Sequence, residues 1–153
     1  MVDPKDNAKA EMVAELNRLL ADHFALFIKT KNFHWHVKGP RFRDLHLLFD
    51  EQAAQIHSQI DVIGERARKL QGETITSLGM ISEQARIKDQ PKANLGAEEM
   101  VVELANDNAA LVTSLKAMKG VAEAAGDNAT DGLIDDWTDE AEERVWFLNA
   151  QLG

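Results

Sequence analysis

Apolar residues recur at spacings of three and four through four long stretches of the chain, a period typical of amphipathic helices. The period predicts helices over residues 7–37, 41–71, 97–125 and 129–151. The inward positions of the first two helices are Val13, Leu16, Leu20, His23, Phe24, Phe27, Ile28, Lys31, His34 and Trp35, followed by Phe42, Leu45, Phe49, Ala53, Ile56, Ile60, Ile63, Ala67 and Leu70. Those of the last two helices are Val101, Leu104, Leu111, Leu115, Met118 and Ala122, followed by Leu133, Trp137, Ala141, Val145 and Leu148.

The breaks between these stretches predict how the helices are connected. Gly39-Pro40 ends the first helix, whereas residues 72–96 form a connection long enough to return the chain to the end where the second helix began. Within it, residues 82–89 are expected to form a short helix capped by Ser82. We therefore predict an all-α four-helix bundle with a short extra helix in the crossover, as one domain over residues 8–153 after a short flexible tail over residues 1–7.

The second helix carries a further stripe, rotated from its apolar stripe by roughly 115° at 100° per residue. Its members are His46, Asp50, His57, Asp61 and Glu65, all potential metal ligands, with no Lys or Arg among them. A solvated helix face would mix charges of both signs. The stripe is therefore interpreted as a metal-binding surface, with a purely structural polar interface between subunits as the alternative.

One helix cannot wrap this stripe around one metal ion, because His46 and Glu65 are separated by about 30 Å along the axis. The stripe divides into two pairs, His46 with Asp50 and Asp61 with Glu65, each spaced i, i+4. The midpoint of positions 46 and 65 is 55.5, and so is the midpoint of 50 and 61. A two-fold axis at that point would set each pair against the other pair of a second copy and form two equivalent sites.

The histidine and carboxylate spacing resembles the Dps family of mini-ferritins. The matching pattern is His34-Trp35, His46 twelve residues later, Asp50, and Asp61-x-x-x-Glu65-Arg66. A short helix in the middle of the crossover and the run Trp146-Phe147-Leu148 are further similarities, so that the resemblance extends from about residue 8 to residue 152.

The resemblance implies an iron-oxidising site shared by two subunits. One subunit would contribute His34, His46 and Asp50, and the other Asp61 and Glu65. His34 enters this set mainly through the resemblance, since its position alone is equally compatible with a core histidine. The resemblance also implies a hollow twelve-subunit shell that oxidises Fe²⁺ with H₂O₂ or O₂ and stores ferric mineral, with Zn²⁺ or Mn²⁺ as possible competitors for the site.

Several other residues are candidates for accessory roles. Trp35 lies beside the proposed ligands, and His57 would approach its own copy across the two-fold axis, where interface packing is the simpler interpretation. Asp127, Asp131 and Asp135 recur every four residues at the start of the last helix. Acidic residues favour a first helical turn, but the resemblance also implies a pore that admits Fe²⁺ near these positions.

Composition limits the function further. The chain has 153 residues and a net charge of −9, which argues against strong binding to nucleic acid. Many Dps proteins bind DNA through Lys-rich tails, but here the N-terminal tail offers only Lys5 and Lys9 against Asp3 and Asp6. We therefore expect DNA binding to be weak or absent, with a DNA-compacting protein as the alternative.

The sequence also bears on thiolate and di-iron sites, on membrane spans and on cellular location. There is no cysteine, which excludes thiolate metal sites and disulfides. No Glu is followed by His three residues later, so a di-iron centre inside a single bundle is not expected. No apolar run approaches the 20 or so residues of a membrane span. With no signal-peptide core visible, a cytoplasmic location is expected.

Overall fold

The computed structural model describes residues 4–153, in which every regular element is helical. The elements are α1 (Pro4–His36), α2 (Phe42–Lys69), α3 (Leu78–Gln84), α4 (Ala97–Ala124) and α5 (Asn128–Ala150). The four long helices and their connections are those predicted from the apolar period. Helix α1 begins earlier than expected, so that residues 4–7 are helical, while the rest of the predicted tail lies outside the described residues. No helix in this part of the chain is both long and apolar enough to cross a membrane.

Two antiparallel helix pairs form the bundle, α1 with α2 and α4 with α5, because each pair is joined by a short turn. Helix α4 begins beside the end of α1, where Asn32 Nδ2 donates to the carbonyl oxygens of Gln90 and Lys92. Helices α2 and α4 therefore start at the same end, as the crossover prediction requires. The apolar stripes meet in one core, whose largest fully buried apolar members include Phe33, Phe49, Met12, Leu16, Leu19, Leu26, Leu45, Ile56, Ile63, Met100 and Leu104.

The short helix of the crossover lies earlier in the chain than the sequence indicated. Helix α3 is capped by Ser77, whose side chain accepts a hydrogen bond from the Met80 backbone N–H. Ser82, the predicted cap, lies inside the helix, so that prediction is wrong. The predicted second half is not helical because Asp22 accepts hydrogen bonds from the backbone N–H groups of Arg86 and Ile87. This buried carboxylate holds the chain extended against α1.

Three large apolar residues assigned to the core face outward. Ile28 and Trp35 of α1 are 61% and 63% exposed, and Phe42 at the start of α2 is exposed as well. Helix α1 carries more apolar residues than one bundle face can cover, and its core side is formed instead by Leu19, Leu26 and Phe33. The surplus apolar residues leave an unburied surface on the α1–α2 side of the bundle.

Candidate metal centre

The end of α1 and the start of α2 bring His34 and His46 together. Their rings stack with centroids 3.9 Å apart and planes 13° from parallel. Nδ1 of His34 lies 2.7 Å from the His46 carbonyl oxygen, and Nδ1 of His46 lies 2.7 Å from the His34 carbonyl oxygen. These reciprocal bonds fix both rings relative to the backbone of the neighbouring helix.

The two hydrogen bonds also assign the tautomer of each ring. A carbonyl oxygen only accepts hydrogen bonds, so each Nδ1 must carry the proton. In the neutral ring the lone pair then lies on Nε2, the atom that can bind a metal ion. Histidines that ligate metals are commonly oriented in this way, through the nitrogen that does not bind the metal. The geometry of His34 and His46 therefore suits two imidazole ligands.

Asp50 is the third group in this first cluster. Its Oδ1 lies 3.7 Å from Nε2 of His34 and 2.8 Å from Nζ of Lys31. The hydrogen bond from Lys31 lowers the pKa of Asp50, and the charges of Lys31, His34 and His46 act in the same direction. The carboxylate is therefore ionised and already partly satisfied by an ammonium group. Sequence reasoning placed Lys31 on the buried side and missed this role, although Lys31 precedes His34 by one helical turn.

Asp61 and Glu65 form a second, separate cluster on the exposed side of α2. A hydrogen bond that protonated Glu65 donates to Asp61, together with the repulsion between the two carboxylates, raises the pKa of Glu65. Binding of a cation between the two carboxylates would relieve their mutual repulsion. Asp50 and Asp61 are about 16 Å apart along the helix axis. Within residues 4–153 of one chain, no three His, Asp or Glu side chains are arranged to hold a metal ion. Each cluster is thus an incomplete site.

The accessory candidates lie near the first cluster or along α2. Trp35 follows His34 but points to solvent, and its ring is among the most exposed apolar groups of the described chain. His57 is exposed and lies against the Phe27 ring with centroids 5.1 Å apart. His36, which the sequence did not make a candidate, is exposed, and its Nδ1 bonds to Asn32 at the end of the same helix. Among the described residues, neither accessory candidate contacts the His34–His46 pair through a hydrogen bond.

The three acidic residues of α5 have different partners. Asp127 caps the helix by accepting from the Thr130 backbone N–H, and it also accepts from Nη2 of Arg66 at 3.0 Å. Lys119 of α4 pairs with both Asp131 and Asp135, and the Asp135 contact is 2.6 Å. Asp127 is therefore a structural cap, whereas Asp131 and Asp135 remain at the surface. Whether they line a pore depends on neighbouring subunits and stays a prediction.

The interior of the bundle contains a polar network. Arg144 of α5 is buried, with Nε donating to Asn108 Oδ1 at 2.7 Å and Nη1 donating to Glu140 Oε1 at 2.9 Å. His23 of α1 is also buried, and its Nδ1 bonds to the Leu19 carbonyl oxygen. Burial lowers the pKa of His23 to about 4, and the charge of Arg144 adds to this effect. Arg144, Asn108 and Glu140 thus form a hydrogen-bonded network between α4 and α5.

Comparisons with known proteins extend through nearly the whole chain. A family model described as a ferritin-like domain matches residues 13–153. The DNA protection during starvation protein of Brevibacillus brevis is 38% identical over 137 residues, covering 90% of this chain and 91% of that protein. A crystal structure of a Dps protein from Bacillus brevis has a TM-score of 0.93 at 35% identity, with 100% of each chain covered.

A crystal structure of a Dps protein from Vibrio cholerae O1 has a TM-score of 0.91 at 26% identity, covering 96% of this chain and 92% of that one. That protein is described as a member of a broad superfamily of ferritin-like diiron-carboxylate proteins. Together the matches confirm the predicted fold, a ferritin-like four-helix bundle with a short additional helix in the crossover.

Proposed function

The chain belongs to the Dps family of ferritin-like proteins, and from this premise we propose that it is a ferroxidase that oxidises Fe²⁺ at sites shared between two subunits. The family as a whole is one of iron storage and protection against stress. Iron is the substrate and the stored product in this proposal. The observation that carries it is the separation of a histidine-rich half-site from a carboxylate half-site on the same face of α2.

The ligand chemistry of the two half-sites is complementary. His34 and His46 present Nε2 lone pairs beside the Asp50 carboxylate, whereas the other half offers only the carboxylates of Asp61 and Glu65. Imidazole and carboxylate together suit Fe²⁺, and carboxylates favour the harder Fe³⁺ product. Zn²⁺ and Mn²⁺ fit the same donors and would compete with iron. A second copy related by the two-fold axis would complete two sites at once.

The reaction we propose uses H₂O₂, or O₂ more slowly, as the oxidant. Two Fe²⁺ ions held close together each give one electron to one peroxide molecule. The O–O bond breaks, two protons are taken up, and two water molecules form. The Fe³⁺ ions then hydrolyse and join a ferric mineral in the cavity of a shell, for which the family resemblance implies twelve subunits. Removing Fe²⁺ and peroxide together would protect the cell from hydroxyl radicals.

An exposed apolar surface beside His57, between the two half-sites along α2, supports the association of two subunits. A groove of about 540 Å³ runs between α1, α2 and α3, next to His57. Ile28 and Leu78 at this groove are 61% and 83% exposed. Exposed apolar grooves bordered by polar residues often mark contacts between proteins. We infer that the second copy that completes the metal sites also covers this groove.

Complementation between two inactive variants tests the shared site. Asp61→Asn/Glu65→Gln removes one half-site, and His46→Ala/Asp50→Asn removes the other. Each variant alone should oxidise Fe²⁺ slowly when absorbance near 300 nm is followed after adding stoichiometric H₂O₂. Mixing the two after dissociation and reassembly should restore part of the rate, because a mixed pair of subunits contains one intact site.

The same experiment separates this proposal from its alternative. If the wild-type protein oxidises Fe²⁺ no faster than buffer, the stripe is a structural interface and the ferroxidase proposal is wrong. If the wild-type protein is fast but the reassembled mixture stays inactive, the site is not shared in the way that α2 geometry implies.

A further inference from the structure

A small cleft on the opposite flank of α2, between α2 and α5, has no role in the chemistry above. Its volume is about 20 Å³. Glu51, Gln52 and Gln55 line it from α2, and Glu143 and Arg144 line it from α5. A space of this size accommodates a single ion or water molecule, since about 10–15 Å³ suffices for one. It is too small for an organic ligand.

Two buried amide oxygens face no hydrogen-bond donor. Gln52 is 3% exposed, and its Nε2 donates to the Arg144 carbonyl oxygen at 3.4 Å. Its Oε1 has no hydrogen-bond partner among the described residues, and neither has Oε1 of Gln55. A buried acceptor without a donor costs about 1–3 kcal/mol. Two such acceptors at one cleft therefore indicate that something positive or hydrogen-donating binds there.

The charge around the cleft distinguishes these two possibilities. Among the side chains of residues 6–153, neither Glu51 nor Glu143 has a Lys, Arg or His nitrogen within 4.0 Å of its carboxylate. The Arg144 guanidinium is directed instead to Asn108 and to Glu140, which balances its charge. The two remaining carboxylates leave the cleft negative. One water molecule satisfies both amide oxygens but carries no charge, whereas a cation binds all four oxygen-bearing side chains and offsets the charge of the two carboxylates.

We propose that this cleft binds one hard cation per chain through the amide oxygens of Gln52 and Gln55 and the carboxylates of Glu51 and Glu143. All of these donors are oxygen atoms, a set that suits Mn²⁺, Ca²⁺ or Fe³⁺ and is poor for the softer ions that prefer imidazole. The site goes beyond the proposed ferroxidase activity, because it lies within one chain and does not use His34, His46 or Asp61.

Mn²⁺ binding tests the cleft directly. The assembled protein with His46→Ala/Asp50→Asn removes half of the ferroxidase site, so that Mn²⁺ bound elsewhere can be counted from the loss of the free-ion EPR signal. In this background, Glu143→Gln should weaken one bound Mn²⁺ per chain by about tenfold, the loss typical when a group supporting a metal site is removed. The matched control is Glu142→Gln, which makes the same charge change on the neighbouring residue outside the cleft.

A variant that binds Mn²⁺ more tightly provides a second test of the cleft. Gln55→Glu adds a carboxylate at almost unchanged volume and should tighten Mn²⁺ binding, a result that misfolding cannot produce. Asn149→Asp, which adds the same charge elsewhere on α5, should not. Equal weakening by Glu142→Gln and Glu143→Gln, or no stoichiometric Mn²⁺ in the parent protein, would overturn the proposal. Both outcomes would leave the complementation result unaffected, so the two proposals fail independently.

Discussion

The orientation of the two imidazole rings determines which nitrogen atoms are available for iron. His34 and His46 each use Nδ1 to bond the carbonyl group of the other residue, so Nε2 is the atom left for a metal ion. The same oxygen of Asp50 that lies near His34 is held by Lys31. A divalent ion that binds here must therefore displace or accommodate an ammonium group. Lys31 is expected to weaken metal binding in the resting protein.

Lys31→Met should tighten binding of the first divalent ion, by about tenfold if the effect resembles other groups around metal ligands. The reason is that Asp50 then loses the hydrogen bond that satisfies its carboxylate. Zn²⁺ titration by calorimetry at pH 7 would measure the change. Lys38→Met, which removes an exposed Lys from the turn between α1 and α2, is the matched control. Unchanged Zn²⁺ affinity in Lys31→Met would show that the ammonium group does not compete with the metal.

His23 should make the stability of the bundle depend on pH. Its pKa is about 4 in the folded chain and near 6.5 when unfolded, because burial disfavours the charged ring. Between these values the unfolded chain binds more protons, so stability falls as the pH drops from about 6.5 to about 4. The loss is roughly 3 kcal/mol at 1.36 kcal/mol for each pKa unit.

His23→Gln should flatten this slope in urea unfolding measured between pH 7 and pH 4.5. The appropriate control is His36→Gln, since His36 is exposed. If both variants retain the wild-type slope, the pH dependence arises from other groups.

The placement of individual residues could be predicted only where helix spacing carries the information. The positions of His46, Asp50, Asp61 and Glu65 follow from one helical stripe. The tautomers of His34 and His46 do not, because they depend on carbonyl groups supplied by the facing helix. Lys31 was missed for the same reason, as its contact with Asp50 crosses between α1 and α2.

The end of helix α3 is set by Asp22, a buried side chain that belongs to α1. Residues 82–89 have the composition of a helix, yet Asp22 of α1 engages the backbone of Arg86 and Ile87 and prevents it. Ile28 was also misplaced by its local pattern, because its apolar side chain fits the predicted core stripe of α1 but is exposed. The four long helices were predictable because their periods extend over many turns, whereas a seven-residue helix depends on its surroundings.

Ser77→Ala should fray α3 by removing its N-terminal cap, at a cost of about 1 kcal/mol. Hydrogen exchange of the backbone amides in residues 78–84 would accelerate, while the four long helices would keep their protection. Ser82→Ala removes a hydroxyl group from within the same helix and should have little effect. Faster exchange in Ser82→Ala than in Ser77→Ala would contradict the assigned cap.

The distribution of charge over the assembled protein bears on DNA binding. One chain has a net charge of −9, so each additional subunit in a homo-oligomer increases the repulsion from phosphate. We therefore expect no retardation of duplex DNA by the iron-free protein in a gel shift at about 0.15 M NaCl, where weak phosphate contacts are screened. Clear retardation under these conditions would favour a DNA-compacting role over iron oxidation as the main function.

Because α2 carries His46 and Asp50 as well as Asp61 and Glu65, the proposed shared site cannot tolerate small changes in helix length between Asp50 and Asp61. Inserting or deleting one residue would rotate the following side chains by about 100° and turn one half-site away from the partner subunit. An insertion of seven residues, which is close to two full turns, would nearly restore the direction but lengthen the helix by about 10 Å. If the two half-sites are shared across a two-fold axis as proposed, the eleven-residue interval from Asp50 to Asp61 must stay constant in length.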